Sequence, residues 1–205
     1  MASQKQSFMK ERASPAQTKV KKIKPEIETP RLRLRLFTLE DLDEFFLIRS
    51  DPEVMRFITG TPATREQSEA ALTKHLKRWE EHGFGHWAVR FKKNPTLLLG
   101  WCGLDFLDTT SEIEVGYGLA RNYWGLGIAT EAAEASLKFG LEQLQLDRIV
   151  GVAYPQNIPS RRVMEKLGMT RVKNGFYYGA EMAYYQILRR EFQPSASKFV
   201  LRDNS

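Results

Sequence analysis

The sequence predicts a mixed α/β domain of the α+β type, in which a mainly antiparallel sheet carries helices on both faces. Runs of alternating apolar residues predict strands, and segments with apolar residues three and four apart predict helices. Short loops rich in glycine, proline and asparagine separate them. The 205 residues, 42% apolar and 27% charged, suit a single globular domain with its own core.

The first part of the chain is predicted to form one strand, two helices and three strands. The strand covers 31–37, and the first helix follows Thr38, with Asp41 placed three residues later as in a capping box. The apolar stripe of this helix is expected at Leu39, Leu42, Phe46 and Ile48. The second helix runs from about Arg65 to His82 and ends at glycines. The three strands are predicted at 86–91, 96–108 and 111–120, with hairpin turns between them.

The second part is predicted to form a helix, a buried strand, a short helix and a closing hairpin. The helix extends to about Gln143, with an apolar stripe at Ala133, Leu137, Leu141 and Leu144. The buried strand covers 147–154. The short helix has Pro159 in its first turn and Gly168 at its C-terminal end. The hairpin occupies 169–192.

The net charge of +6 is confined to the N-terminus. Residues 1–25 hold seven basic residues and one acidic residue, so residues 26–205 are formally neutral. A segment rich in Lys, Ser and Gln buries too little apolar surface to fold alone, which predicts a basic, disordered tail at 1–25 and a single domain at 26–205. A nucleic-acid contact, a membrane-surface contact or a transit peptide is the alternative interpretation of the tail.

The remaining composition favours a cytoplasmic protein without a metal centre. Cys102 is the single cysteine, so no internal disulfide is possible and a reducing compartment is expected. The three histidines do not have zinc-site spacing. No stretch approaches the roughly 20 apolar residues of a membrane span, so no membrane partner is expected.

The segment "ARNYWGLGIATEA", residues 120–132, combines a strand end, a glycine turn and a helix start. The first N–H groups of a helix lack internal partners and attract anions, and Gly125 and Gly127 let the backbone approach a phosphate closely. No Lys-Ser or Lys-Thr follows, so the segment is not a P-loop, and Thr130 stands where a dinucleotide fingerprint has its third glycine. A simple turn is the alternative interpretation.

Four motifs together make the chain similar to a known family. They are "TPRLRLR", "EVGYGL", "YWGLGIATEA" and N-x-x-S-x-x-V-x-x-K-L-G-M, and they span Thr29 to about Phe192 in order. This set resembles the GNAT superfamily of acetyl-CoA-dependent N-acetyltransferases, in particular its RimJ/RimL branch, which acetylates ribosomal proteins. The resemblance implies a sheet that splays at its middle, acetyl-CoA as donor and a primary amine as acceptor. The expected amine is that of a protein N-terminus, for which a ribosomal protein would be the partner, or that of a small molecule. The expected assembly is a monomer or a homodimer.

The resemblance also implies a set of cofactor-binding residues. The turn would bind the pyrophosphate through Arg121, Asn122, Trp124, Gly125, Leu126, Gly127, Ile128, Ala129 and Thr130. Asn122 stands where the family usually has Gln or Arg, and Trp124 is expected to pack under the turn. The pantetheine arm would pair with the strand backbone at Tyr117, Gly118 and Leu119, where glycines permit close approach. Asn157, Ser160 and Arg162, or Arg161 in place of Arg162, complete the set.

The catalytic residues implied by the resemblance are Glu114 as the base and Ser160 as the acid. Glu112 is a competing base, and a surface carboxylate is the alternative interpretation of both. A free Glu is a weak base for an ammonium group, so burial would have to raise its pKa. Asn157 and Ser160 also have the positions of helix caps. Tyr154, Tyr184 and Tyr185 are further candidate acids that fit the core or pocket wall better.

Two other functions remain open from the sequence. The domain could bind acyl-CoA without catalysis, or the protein could attach to a ribosome or nucleic acid through its basic tail. Intact motifs argue weakly against the first, and the neutral body gives no electrostatic sign of a nucleic-acid surface outside the tail.

Overall fold

The computed structural model describes residues 25–196 and 199–203. The predicted tail, residues 1–25, lies outside the described residues except for Pro25, where the first strand begins. The strands of this region form a single sheet: β1 (Pro25–Glu28), β2 (Leu32–Arg35), β3 (His86–Phe91), β4 (Asn94–Phe106), β5 (Ile113–Leu119), β6 (Arg148–Ala153), β7 (Thr170–Tyr177), β8 (Ala180–Leu188) and β9 (Val200–Asp203).

The strand order across the sheet is β7-β8-β6-β5-β4-β3-β2-β1-β9. Among these neighbours β5 and β6 run parallel, and the other pairs run antiparallel. The α-helices are α1 (Leu42–Arg49), α2 (Pro52–Met55), α3 (Arg65–His82), α4 (Ile128–Lys138) and α5 (Ile158–Lys166). The predicted class, a mainly antiparallel sheet with helices, is confirmed.

The helices cover both faces of the sheet because alternate strand residues feed two separate cores. On one face Phe45 of α1 and Leu72 of α3 pack with Trp101 of β4. On the other face Ile128 of α4 and Met164 of α5 join a larger cluster of buried residues. It includes Leu34 of β2, Leu104 of β4 and Val115 of β5. Within the described residues, none of the helices combines the length and apolar character needed to cross a membrane.

The predicted apolar stripe of the first helix is correct only in part: Leu42 and Ile48 join the core, whereas Leu39 does not. The segment starts as a 3-10 turn, Leu39–Asp41, closed by a capping box between Thr38 and Asp41, and only then becomes α1. A 3-10 turn has three residues per turn, so it rotates the following side chains relative to a continuous α-helix. Leu39 is therefore exposed, and Phe45 takes the buried position that was predicted for Phe46.

Two further differences concern helix extent. The predicted helix to Gln143 is α-helical only as far as Lys138 and continues as a π-helical segment, Phe139–Gln143. The short helix α2 was not predicted, because four residues after Asp51 give too little periodicity to detect. The bounds of α3 match the prediction, and its capping box between Thr64 and Gln67 accounts for the sharp start.

Strands β1 and β9 were not predicted, and they extend the sheet beyond β2. β1 pairs with β2 on one side and with β9 on the other. Ile27 is fully buried, and the indole N–H of Trp87 donates to the Pro25 carbonyl at 2.9 Å. These contacts make Pro25 and β1 part of the packed body.

We expect a chain shortened to begin at Pro25 to keep its melting temperature and its turnover of a small amine. Removing residues 1–28 instead deletes β1 and the burial of Ile27, which contributes about 1.5–3 kcal/mol. For a domain of this size the melting temperature should fall by at least about 3 °C. Thermal melts and an activity assay of both shortened chains test this, and a loss of stability on removing residues 1–24 alone would contradict it.

Candidate active site

The glycine turn connects β5 to α4 and is open to solvent. A 3-10 turn, Arg121–Tyr123, follows β5, and α4 begins at Ile128. Gly125 and Gly127 have φ of +76° and +75°, the left-handed region that suits glycine. Gly127 is the N-cap of α4. The first amides of an eleven-residue helix therefore face outward beside a backbone without Cβ atoms, which is a suitable arrangement for binding an anion.

A side-chain clamp that the sequence reasoning missed holds this turn. The Glu131 carboxylate accepts bonds from the Thr29 hydroxyl at 2.6 Å and from the Arg31 backbone N–H at 2.9 Å. The Arg31 guanidinium donates to the same carboxylate at 2.6 Å and to the Leu126 carbonyl at 2.9 Å. The start of the "TPRLRLR" motif thus fixes both the turn and the first turn of α4. The motif was visible, but its partner 100 residues away was not.

The other residues of the turn divide between exposed and buried positions. Arg121, Asn122, Leu126 and both glycines are exposed, Ala129 and Thr130 are half-buried, and Ile128 is buried in the core. The expectation that Trp124 packs under the turn is wrong. Its ring is 47% exposed, because its indole N–H donates to the Leu119 carbonyl at 2.9 Å and holds the ring at the surface.

The sheet splays between β5 and β6. In the described part of the chain these strands pair at one position, Glu114 with Val150, although both continue for several residues. The gap therefore opens along the C-terminal half of β5 and leads to the glycine turn. A splay at the middle of the sheet was predicted from the family resemblance, and the register agrees with it.

The backbone of β5 beyond Glu114 faces this gap. The Ala120 N–H donates to the Leu99 carbonyl of the neighbouring strand at 2.8 Å. Because hydrogen-bonded and non-hydrogen-bonded positions alternate along an antiparallel pair, the amides of Tyr117 and Leu119 point away from β4 and toward β6. These are two of the three positions at which the sequence predicted pairing with a pantetheine arm.

The two glycines of β5 face bulky side chains of the neighbouring strands. A Cβ on Gly118 would lie 2.3 Å from the Trp101 indole, and one on Gly116 would lie 2.9 Å from Nε2 of His86. Both rings approach from the α3 side. Packing within the protein therefore also requires glycine at these positions, and close approach of the cofactor stays a prediction.

Three predicted site residues meet where α5 borders the gap. The Tyr117 hydroxyl lies 3.0 Å from both the carbonyl and Oγ of Ser160. The Asn157 side chain accepts the Ser160 backbone N–H at 3.2 Å, so Asn157 is the N-cap of α5. Burial raises the pKa of the Tyr117 hydroxyl, which keeps it a proton donor at neutral pH. The sequence had assigned Tyr117 a backbone role only.

Glu114 is a partly buried carboxylate on the face of β5 opposite to that of Tyr117. Its pKa is raised to about 7, mainly by burial. The Tyr178 hydroxyl donates to Oε1 of Glu114 and opposes this shift, whereas the nearby carboxylates of Asp105 and Asp108 reinforce it. Glu114 is therefore not the ordinary surface glutamate of the alternative interpretation. A carboxyl group that changes charge near neutral pH is suited to accepting a proton from an amine.

Glu112 is held in a different environment. Its carboxylate accepts from Arg148 at 2.6 Å and from the Tyr184 hydroxyl at 2.8 Å. The Glu112 carboxylate is thus held in an ion pair and a hydrogen bond, whereas Glu114 has no basic side chain among its hydrogen-bond partners in the described residues. The two carboxylates therefore have different surroundings in the structure.

The two candidate phosphate-binding arginines of α5 also differ. Arg161 donates to the Tyr185 hydroxyl at 3.0 Å and to the Pro155 carbonyl at 2.9 Å, so it is engaged within the protein. Arg162 is exposed on the helix surface. Among the described residues, no group of three or more His, Cys, Asp or Glu side chains is arranged to hold a metal ion.

Comparison with known proteins identifies the family. Residues 31–170 match the acetyltransferase (GNAT) domain family. The uncharacterised N-acetyltransferase p20 of Bacillus licheniformis is 30% identical over 80% of this chain and 96% of its own length. The FsC-acetyl coenzyme A-N(2)-transacetylase of Aspergillus fumigatus is 29% identical over 76% of this chain and 69% of its own. YdaF of Bacillus subtilis, provisionally named a ribosomal N-acetyltransferase, is 31% identical over 47% of this chain and 56% of its own.

A solved structure gives the same result. The GNAT-family acetyltransferase of Bacillus anthracis superposes with a TM-score of 0.69, at 29% identity, over 81% of this chain and 99% of that chain. Its fold has the same mixed sheet and helices. A module that only binds acyl-CoA is not favoured, since relatives named N-acetyltransferases match most of the chain. The chain belongs to the GNAT acetyltransferase family and is an N-acetyltransferase, which transfers the acetyl group of acetyl-CoA to an amine.

Proposed function

We propose that the acceptor is the primary amine of a protein N-terminus, as in the RimJ/RimL branch that the motifs resemble. The name of YdaF, a partial relative, supports a ribosomal protein as the substrate. The second candidate is the amine of a small molecule. It is supported by the Aspergillus relative, which is named for acetyl transfer to N(2) of FsC and matches more of the chain.

The proposed site for acetyl-CoA runs from the glycine turn into the gap between β5 and β6. The pyrophosphate would bind the amides around Gly125, Gly127 and Thr130, with Arg162 near the nucleotide phosphate. The pantetheine arm would pair with the backbone at Tyr117 and Leu119 and pass Asn157. The Leu119 N–H would then donate to the thioester oxygen as negative charge develops there.

The proposed chemistry begins with the acceptor as an ammonium ion. Glu114 takes one proton, directly or through a water, and leaves a neutral amine with a free electron pair. That pair attacks the thioester carbon, so a C–N bond forms and the carbonyl oxygen becomes an oxyanion. When the oxyanion collapses, the C–S bond breaks and the nitrogen loses a second proton. Ser160, which contacts Tyr117, supplies the proton that the thiolate takes up. The second proton lost by the nitrogen then reprotonates Ser160 and Tyr117.

One observation carries this proposal. β5 has a carboxylate with a pKa near 7 at its paired end, amides facing an open gap along its middle and an anion-binding turn beyond it. Base, oxyanion donor and cofactor site therefore follow one another along a single rigid element. The cytoplasm stays the proposed compartment, because the single cysteine, Cys102, is buried as a free thiol.

An acceptor screen with acetyl-CoA, monitored by thiol release, tests the proposal. We expect turnover with peptides that have a free N-terminal amine and none with the same peptides blocked at the N-terminus. Turnover of small amines alone would favour the second candidate. In the same assay Ser160→Ala should lower kcat with little change in KM for acetyl-CoA, and wild-type kcat in this variant would exclude Ser160 as the acid.

A further inference from the structure

The turn between β7 and β8 carries a contact that the reaction scheme above does not use. Tyr178 lies in this turn with φ of +50°, and its hydroxyl donates to Glu114. Asp108, in the loop between β4 and β5, has φ of +48°. Left-handed backbone is uncommon for residues other than glycine and persists where surrounding contacts enforce it, often at functional sites.

These two residues enforce one another's conformation. The Asp108 N–H donates to the Tyr178 hydroxyl at 2.9 Å, and the Tyr178 N–H donates to Oδ2 of Asp108 at 2.9 Å. The hydroxyl proton of Tyr178 is therefore available for Glu114. The result is a chain of hydrogen bonds from the Asp108 amide through the phenol to the carboxylate, and each bond polarises the next.

We infer that Tyr178 is a positioning residue for acetyl transfer: its hydroxyl fixes the Glu114 carboxylate and its ring forms the outer wall beside it. The inference rests on the proposed role of Glu114 as the base. Tyr178 is 47% exposed while its hydroxyl contacts Glu114, so this side chain reaches from the carboxylate to the surface. A carboxylate held by one donor keeps its other oxygen in a defined direction for the incoming amine.

Other charged and titratable groups also face Glu114, and their effects must be separated from that of Tyr178. Asp105 of β4 lies directly opposite Glu114 in the register, and Arg78 and Lys74 of α3 pair with Asp105 at 3.0 and 3.8 Å. His86 of β3 is neutral at physiological pH, because burial lowers its pKa to about 4.

Further along, Asp108 raises the proton affinity of Glu114, and Glu112 is neutralised by Arg148. Against this background the phenol of Tyr178 is a direct hydrogen-bond donor to the carboxylate. Its removal therefore changes the Glu114 carboxyl group without removing a charge.

The test replaces the phenol and keeps the ring. In Tyr178→Phe the carboxylate loses a donor that favours its charged form, so we expect its pKa to rise by about one unit. The acid limb of kcat/KM for the amine should move up by the same amount, with a loss of about tenfold on that limb. The KM for acetyl-CoA should not change, since Tyr178 is not one of the residues proposed to bind the cofactor.

The matched control is Tyr184→Phe, which removes the donor to Glu112, two residues before Glu114 and immediately before β5. It should leave the acid limb in place, and thermal melts check that both variants are folded. Carboxyl ¹³C NMR of Glu114 provides a readout independent of activity. An unchanged Glu114 titration in Tyr178→Phe overturns the inference, whereas a shifted titration with an unchanged rate profile overturns the role of Glu114 as the base.

Discussion

Replacement of Gly127 by glutamate is expected to abolish acetyl-CoA binding while the fold is retained. Gly127 is the N-cap of α4 at φ +75°, and its amide region is the proposed pyrophosphate site. A carboxylate there favours the helix, because it faces the positive end of the dipole, but it repels the diphosphate. Two charges about 4 Å apart near a protein surface interact by about 4 kcal/mol, so the dissociation constant should rise at least about 100-fold.

Two companion variants separate charge from shape. Gly127→Gln introduces the same side chain without charge, and Gly127→Ala introduces only the strain of a Cβ at positive φ, about 1–3 kcal/mol. A Cβ at this position lies 3.5 Å from the Arg31 guanidinium, so it meets no backbone. Gly60→Glu, at φ +82° in open space, controls for the stability cost away from the site. If calorimetry gives Gly127→Glu and Gly127→Gln the same affinity for acetyl-CoA, the pyrophosphate does not bind at this turn.

The glycine turn could be located from sequence because its signal is local. The two glycines lie between the end of β5 at Leu119 and the start of α4 at Ile128, and the left-handed backbone they adopt is a property of glycine itself. The bounds of α3 were predicted for the same reason, since the capping residue Thr64 and the terminal Gly83 are adjacent to the helix they limit. Predictions of this kind need no knowledge of the tertiary structure.

The rest of the site depends on contacts between distant residues, which periodicity does not encode. Glu131 is clamped by residues 100 or more positions earlier, and Tyr178 reaches Glu114 across 64 positions. β1 and β9 are four residues each and exist as strands because they pair with one another at the edge of the sheet. The family resemblance located β5 and the turn and favoured Glu114 over Glu112 as the base, but it did not show what surrounds either carboxylate.

That choice leads to the second large effect: Glu114→Gln is expected to lower kcat/KM for the amine by about 10²- to 10⁴-fold. Gln keeps the shape and can still accept the Tyr178 hydrogen bond, but it cannot take a proton. The KM for acetyl-CoA should change little. A strained or collapsed site would instead change both constants together.

The pH dependence of the difference follows from the pKa of Glu114, about 7. Below that pH the wild-type carboxyl is already protonated, so the difference in kcat/KM between wild type and variant becomes smaller. Above the pKa of the amine, about 8 for a protein N-terminus, the acceptor is already deprotonated and needs no base. The difference in kcat/KM then becomes smaller again. The loss should therefore be greatest between these two values.

The same substitution, Glu114→Gln, should raise the stability of the fold although it lowers activity. The pKa of Glu114 is raised above its unfolded value, so the native state prefers the protonated form and loses stability as pH rises through 7. Glu114→Gln has no charge to bury. At pH 8 its melting temperature should exceed that of the wild type by an amount equivalent to at most about 3 kcal/mol, and at pH 4 the two should agree.

Glu112→Gln is the matched control, immediately before the same strand. Its carboxylate is paired with Arg148 and Tyr184, so neutralising it should cost some stability and leave the rate profile unchanged. If Glu112→Gln loses activity and Glu114→Gln does not, the base is Glu112, which immediately precedes β5. If both variants keep wild-type kcat/KM from pH 6 to 9, the enzyme acts by positioning the free amine, and the raised pKa of Glu114 reflects burial without a catalytic role.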